Sequence, residues 1–203
     1  NNAHTLAQLK TINNATSGTI TLNDASVALS GSSADITAAL NGITSYTGNV
    51  TLSDPHTLAQ LKAINNAGSG SITLNDASVA LSGSSADIAA ALTGITSYTG
   101  TATLNTDHSL SELVTINNAT SGSITLNDAS VALTGSTSDV KAALAGNVGA
   151  SYTGNITLND ADGTNITATD ITTIEGDTTG TITVSNNINL QGTAAEVAAA
   201  VDD

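Results

Sequence analysis

The sequence predicts an α/β solenoid of about seven coils, each one short strand and one short helix, with an extra strand in the odd coils. The strands should form a leucine-rich-repeat-like parallel sheet on one side. Three observations predict this. The stretch "GTITLNDASVALSGSSADI", Gly18 to Ile36, returns with few changes at Gly70 and Gly122, and in worn form at Gly180. His4, His56 and His108 open copies 52 residues apart. Eight candidate helix caps recur in register, two to a copy. A fixed period of this length marks an array in which each unit buries its apolar face against its neighbours. The chain reads as a single array over residues 1-203, with repeats at 4-55, 56-107, 108-165 (with insertions) and 166-203 (degenerate). The alternative is a right-handed parallel β-helix with little helix, and the eight caps count against it.

Each helix opens on a capping box, in which a Ser or Thr and a Glu or Gln three residues later satisfy each other's free amides. "TLAQ" at Thr5 and Thr57, "SLSE" at Ser109 and "TATD" at Thr167 start the odd helices. "SSAD" at Ser32 and Ser84, "STSD" at Ser136 and "TAAE" at Thr193 start the even ones. Apolar residues then fall at i, i+3 or i+4, one buried stripe per helix. "NNATSG" or "TSYTG" makes the return. A short strand follows, with Ile20 and Leu22 inward and Thr19 and Thr21 outward. The inward set is Leu9, Ile12, Ile20, Leu22, Ile36, Leu40, Ile43, Val50, Leu52 and their equivalents. Odd coils add "ASVALSG", a second alternating run. It either bends away to form another face, the favoured reading, or folds back as a hairpin pairing Leu22 with Ala25 and Ile20 with Val27.

Composition excludes several functions. Seventeen acidic residues against Lys10, Lys62 and Lys141 give a net charge of -14. No basic patch can form, so nucleic acid and anionic membranes are not partners. No apolar run approaches the roughly 18 to 20 residues that span a bilayer, so no membrane insertion is expected. Cys, Met, Trp and Phe are absent and Tyr occurs three times, a palette suited to a thin core of Ala, Val, Ile and Leu. The chain begins at Asn1 rather than Met and reads as a piece of something longer.

No nucleotide-binding, zinc-protease, nucleophile-elbow or Cys-based metal motif occurs. His4, His56 and His108 recur only every second coil, about 10 Å apart along the axis, too far to share a zinc ion. They read as loop or helix-start residues. Asn23-Asp24, Asn75-Asp76, Asn127-Asp128 and Asn159-Asp160 read as turns closed by Asx side chains on their own backbone. Asn13-Asn14, Asn65-Asn66 and Asn117-Asn118 should do the same at the other corner, and the three Tyr should pack over the return loop. "NDADGTN" is the local exception. Asp160, Asp162, Gly163 and Asn165 resemble part of a calcium loop, although Leu158 holds the first ligand position. A plain polar loop is the favoured reading and a calcium site at Asp160, Asp162 and Asn165 the alternative.

One outward position holds Thr21, Thr51, Thr73, Thr103, Thr125, Thr157 and Thr183 in seven successive strands. Two residues earlier stand Thr19, Asn49, Ser71, Thr101, Ser123, Asn155 and Thr181. Thr suits an exposed strand for its own sake. The same ranks could meet another copy, a polysaccharide or ice.

The phrases "TLAQLKTINNATSGTITLNDASVALSGSSADITAAL" and "GITSYTGNVTLSD" resemble the tandem repeats of very large secreted, adhesin-like proteins of bacteria, particularly marine cyanobacteria. The resemblance covers residues 4 to about 160 well and the remainder loosely. It implies a secreted or cell-surface setting and a non-enzymatic, structural or adhesive role, and no functional residues transfer. The expected function is thus an extracellular structural segment of a surface layer, sheath, filament or adhesin stalk. Its partners would be copies of itself or adjoining repeats, through end-to-end or lateral contact, with polysaccharide as a further partner. The alternative is a glycan- or ice-binding module using the Thr ladder. No catalytic residue and no cofactor besides calcium is expected.

Overall fold

The computed structural model describes residues 3–68, 70–148 and 152–202. The first repeat runs through α1 (Leu6–Ala15), β1 (Leu29–Gly31), α2 (Ser33–Leu40) and β2 (Val50–Leu52). The second contains α3 (Leu58–Ala67), β3 (Ile72–Thr73), β4 (Leu81–Gly83), α4 (Ser85–Leu92) and β5 (Ala102–Leu104). The third repeats that series as α5 (Leu110–Ala119), β6 (Ile124–Thr125), β7 (Leu133–Gly135), α6 (Thr137–Leu144) and β8 (Ile156–Leu158). The last contains β9 (Asn165–Thr167), α7 (Ala168–Asp177), β10 (Ile182–Val184), β11 (Asn189–Gln191) and α8 (Ala194–Ala199). The fold is α/β, with short parallel strands alternating with helices. It is not a β-helix with little helix.

All eight expected caps stand at helix starts. Thr5, Ser32, Thr57, Ser84, Ser109, Ser136, Thr167 and Thr193 have extended backbones, and each side-chain oxygen accepts from the amide three residues on. The box closes in both directions at Thr5, Thr57, Ser109 and Thr193, where Gln or Glu is long enough to reach back. In α2 and α4 the third residue is Asp35 or Asp87. These carboxylates instead meet Lys10 and Lys62 of the preceding helix. Both pairs are well exposed and contribute little to stability. Helices α2, α4 and α6 stop at Gly42, Gly94 and Gly146, whose φ values of 73°, 74° and 53° lie in the left-handed region that glycine enters freely.

Each helix packs against the next in chain order, from α1 to α8. The strands do not make one continuous sheet. They form four small ones: β1-β2-β3, β4-β5-β6, β7-β8-β10 and β9-β11, with every pairing parallel. The division falls inside the odd coil and has a local cause. Asp76 Oδ1 accepts from the amide and hydroxyl of Ser78, closing a tight turn between β3 and β4. The arm before the turn, β3, bonds to the preceding coil, and the arm after it, β4, bonds to the following one. The hairpin pairing is therefore not made, and in the first three repeats the second arm does not form a sheet of its own: β1, β4 and β7 each share one with strands of later coils, whereas β11 of the last repeat pairs with β9 alone.

The core is thin, as the composition requires. Leu9, Ile36, Leu40, Ile43, Val50 and Leu52 are buried as expected, together with Tyr46, Tyr98 and Tyr152. Ile20 and Leu22 are only half-buried, and Ile12 is exposed. The buried residues form two clusters that meet at α3, which gives Leu61 to one and Ile64 and Ala67 to the other. Among the described residues no helix is long and apolar enough to cross a membrane.

Candidate functional site

The outward Thr positions lie on the strands in a register that the sequence shows only in part. Thr51 pairs with Thr73, Thr103 with Thr125, and Thr157 with Thr183. Each pair has a third member on its other side: Ser30 beside Thr51, Ser82 beside Thr103, and Thr134 beside Thr157. The ladder is thus three ranks of three hydroxyls, one on each three-stranded sheet, with about 4.8 Å between strands. Thr21 is exposed but lies outside the paired strands. Thr103 and Thr157 are half-buried and the other ladder threonines are exposed. Ser30, Ser82 and Thr134 escape a search for T-x-T, although they follow the buried Leu29, Leu81 and Leu133, and that alternation marks them. Two residues before the ladder, Asn49 and Asn155 each accept the amide of the next coil, from Ser71 and Thr181. Those side chains tie coil to coil.

The histidines pack on tyrosines. His4 lies against Tyr46, His56 against Tyr98 and His108 against Tyr152, with tilted rings about 6 Å apart. Tyr98 Oη donates to Val79 O at 2.5 Å, and His56 Nε2 stands 3.2 Å from Tyr98 Oη. Tyr46 and Tyr152 likewise donate to the carbonyls of Val27 and Val131. With the phenol proton given to the carbonyl, Nε2 must be the donor to Tyr98. Nδ1 is then bare, and in both His56 and His108 it is buried without a partner. Burial holds both imidazoles below their ordinary pKa, against the pull of Asp76 on His56 and of Asp107, Glu112 and Asp128 on His108. Burial pushes all three phenols up to about 12. The tyrosines thus occupy the core itself, beneath the return loop rather than over it.

Two sets of polar residues reach further than the sequence suggests. Asp24, Asp76 and Asp128 close their own turns, as expected, each accepting from a Ser two residues on. Asp160 does not. It accepts from the amide of Thr137 at 2.9 Å and from its hydroxyl at 2.6 Å, so it caps α6 from the following coil. Asp54 and Thr106 hold the equivalent amides of Ser33 and Ser85. The asparagines at the other corner also look outward. Asn117 Nδ2 donates to the carbonyls of Ala142, Ala143 and Ala145, closing the C-terminus of α6, and Asn13 and Asn65 do the same for α2 and α4.

Of the calcium candidates, Asp162 accepts from Asn187 N and Asn165 Oδ1 from Asn189 Nδ2, while Asp160 caps α6. The two carboxylates and the amide carbonyl serve three different neighbours. Among the described residues no three His, Cys, Asp or Glu side chains are grouped to hold a metal. The surface thus offers ordered hydroxyl donors and acceptors, repeated at intervals. Comparison of the chain with protein-family models, curated proteins and solved structures finds no match.

Proposed function

We propose that the chain is a structural segment of an extracellular repeat protein, such as a surface layer, sheath, filament or adhesin stalk, and that its coils wind as one solenoid. The observation that carries this reading is the recurrence of identical bonds between coils. Asn13, Asn65 and Asn117 cap the next helix in turn, and the amides of Tyr46 and Tyr98 donate to Ala67 O and Ala119 O at 3.0 Å. Such contacts extend without limit as units are added. A catalytic centre needs unlike groups converging on one point, whereas this chain sets like groups along a line. The extracellular setting rests on the resemblance of residues 4 to about 160 to secreted bacterial repeats. Electron microscopy and sizing test the reading. An elongated stack that assembles further is the expected result, and a compact monomer that hydrolyses a polysaccharide would overturn it.

The three hydroxyl ranks favour a second reading, in which the sheet surface binds a glycan or ice. Thr73 and Thr125 are exposed and belong to different ranks. Changing both to Lys leaves the core untouched and puts two charges on the face. Glycan retention or thermal hysteresis present in the parent and lost in this variant supports surface binding. Absence of both from the parent rules it out.

A further inference from the structure

The third repeat fills a place that the second leaves open. β3 and β6, Ile72–Thr73 and Ile124–Thr125, are equivalent strands. Each bonds to the preceding coil, where Val50 N donates to Ser71 O and Ala102 N to Ser123 O. Along a strand the backbone groups of successive residues point to opposite sides, so the amides of Ile72 and Ile124 point away from those bonds, toward the following coil. Ile124 N finds Asn147 O there at 2.9 Å, and Asn147 Nδ2 donates to Thr120 O at 2.8 Å. Val148 pairs with Ile124 and is buried. The cause is in the sequence: the third return, Gly146 to Tyr152, is two residues longer than Gly94 to Tyr98.

In the second repeat the shorter return passes by. Ile95 N bonds back to Leu92 O, and among the described residues nothing from that return reaches Ile72 N or Gly68 O, the counterparts of Ile124 N and Thr120 O. A notch of about 620 Å³ opens instead, with Asn65, Gly68 and Ile72 on one wall and Thr93 and Ile95 on the other. Burial follows the difference: Ile124 and Asn117 are buried, whereas Ile72 and Asn65 are half-buried. The notch lies inside the array, between α3 with β3 and the end of α4.

We propose that this notch binds an extended peptide segment of a partner protein, which takes the part that Asn147 and Val148 take in the third repeat. A segment carrying Asn followed by a small β-branched residue supplies a carbonyl for Ile72 N and a carboxamide donor for Gly68 O, and lays its apolar side chain against Ile95. Main-chain bonding at an open strand edge gives the affinity, and the carboxamide gives the choice of sequence. The chain's charge of -14 disfavours an acidic segment, and Asn-Val carries no charge. Only one residue pair bonds, so a single contact is weak and gains strength where several act together. The inference does not depend on the structural-repeat reading: the notch is there whether or not the coils belong to a stalk.

Nuclear magnetic resonance of the full, isotope-labelled chain tests this, with acetyl-Gly-Asn-Val-Gly-amide as the probe. The peptide should shift the Ile72 amide saturably and slow its exchange with solvent, while the Ile124 amide stays unchanged. A peptide with Leu in place of Asn should bind about fivefold more weakly, the loss of one hydrogen bond. Replacing Ile95-Thr96 by Asn-Val-Gly-Ala gives the second repeat the return of the third. Peptide binding should then be lost, and the Ile72 amide should be protected without peptide. Thr93→Trp, at an exposed position on the rim, keeps the return as it is and should also weaken binding by covering the notch. An Ile72 amide that the peptide does not move, an equal shift at Ile124, or equal binding of the two peptides would each overturn the proposal. So would binding that survives the longer return, or that survives Thr93→Trp where the longer return does not fold. A shift of Ile72 by N-acetylglucosamine and not by the peptide would assign the notch to a sugar and overturn it as well.

Discussion

His56 Nε2 lies 3.2 Å from the hydroxyl of Tyr98, 42 residues along the chain, and donates to an oxygen whose own proton goes to Val79 O. Protonating the imidazole would place a second N–H at Nδ1, where no acceptor waits. The folded state therefore resists that proton, and the unfolded chain takes it up more readily. Stability should be full above the ordinary imidazole value of 6.5 and fall as pH drops through it toward the lower folded value. The phenols work in the opposite sense. Their folded pKa is raised from 10.0 to about 12, so stability should be lost as pH rises across that interval. Asp24, Asp76 and Asp128, held below 3.8 by their serine hydroxyl bonds, add a separate loss at lower pH. Urea midpoints across pH check this. Replacing His56 and His108 together by Asn should flatten the step near 6.5; a step of unchanged size would refute the assignment.

Gly122 sits where two coils touch. A Cβ there would meet Gly100 O at 2.4 Å, backbone against backbone, with no side chain to swing aside. Gly122→Ala should cost about 1–3 kcal/mol, as overpacking does. Gly94→Ala meets nothing within 4 Å but holds φ at 74°, which costs about 1–2 kcal/mol by strain alone. Thermal melts separate the two, because the first also forces the strands apart and should weaken protection of the Tyr98 and Ser121 amides from exchange. Equal protection in both variants would refute the distinction.

Asn117 is buried and holds three carbonyls of α6 at 2.9, 3.1 and 2.7 Å. Asn117→Ala strands them and should cost about 1–3 kcal/mol. Asn13 makes the same kind of bond at a more open site, where water can replace it. Asn13→Ala should cost measurably less. If chemical denaturation gives the two variants equal losses, burial is not what sets the value of this bond.

Asp160 caps α6 across the coil boundary. Its replacement by Ala should cost about 0.5–2 kcal/mol, the usual loss of a helix cap. Since Asp160 Oδ2 accepts both the amide and the hydroxyl of Thr137, and Asp162 and Asn165 turn to other neighbours, calcium should leave the melting temperature unchanged. A calcium-dependent rise, absent in Asp162→Ala, would restore the calcium loop.

Much of the fold is legible because it is local. Thr5 and Gln8, or Ser84 and Asp87, lie three residues apart, and a cap needs nothing beyond that span. The alternation that buries Val50 and Leu52 and exposes Thr51 is likewise written within the strand. The missed features all reach across coils. Asn117 finds its partners 25 to 28 residues away, and Asp160 finds Thr137 at 23. Spacing reveals that such residues recur, but not which neighbour they face. Ile12 and Ile64 have matching sequence environments, yet Ile12 is exposed and Ile64 is buried, because α2 packs on α3 and no described helix stands there against α1. The hydroxyl ranks fall between these cases. The threonines were visible as a column, but their division into threes depends on which arm of the odd coil bonds forward.

That division has a mechanical consequence. In the second repeat the arm before the Asx turn bonds backward and the arm after it bonds forward, so strand pairing is interrupted there, whereas in the third Ile124 N also bonds forward to Asn147 O at 2.9 Å. Across the interruption in the second repeat the load passes through helix packing, asparagine caps and the covalent turn. Under tension the chain should yield between β3 and β4 first, while the bond from Ile124 holds the next break closed. A chain built this way would lengthen in unequal steps under a sudden pull, with the sheets between the breaks staying whole.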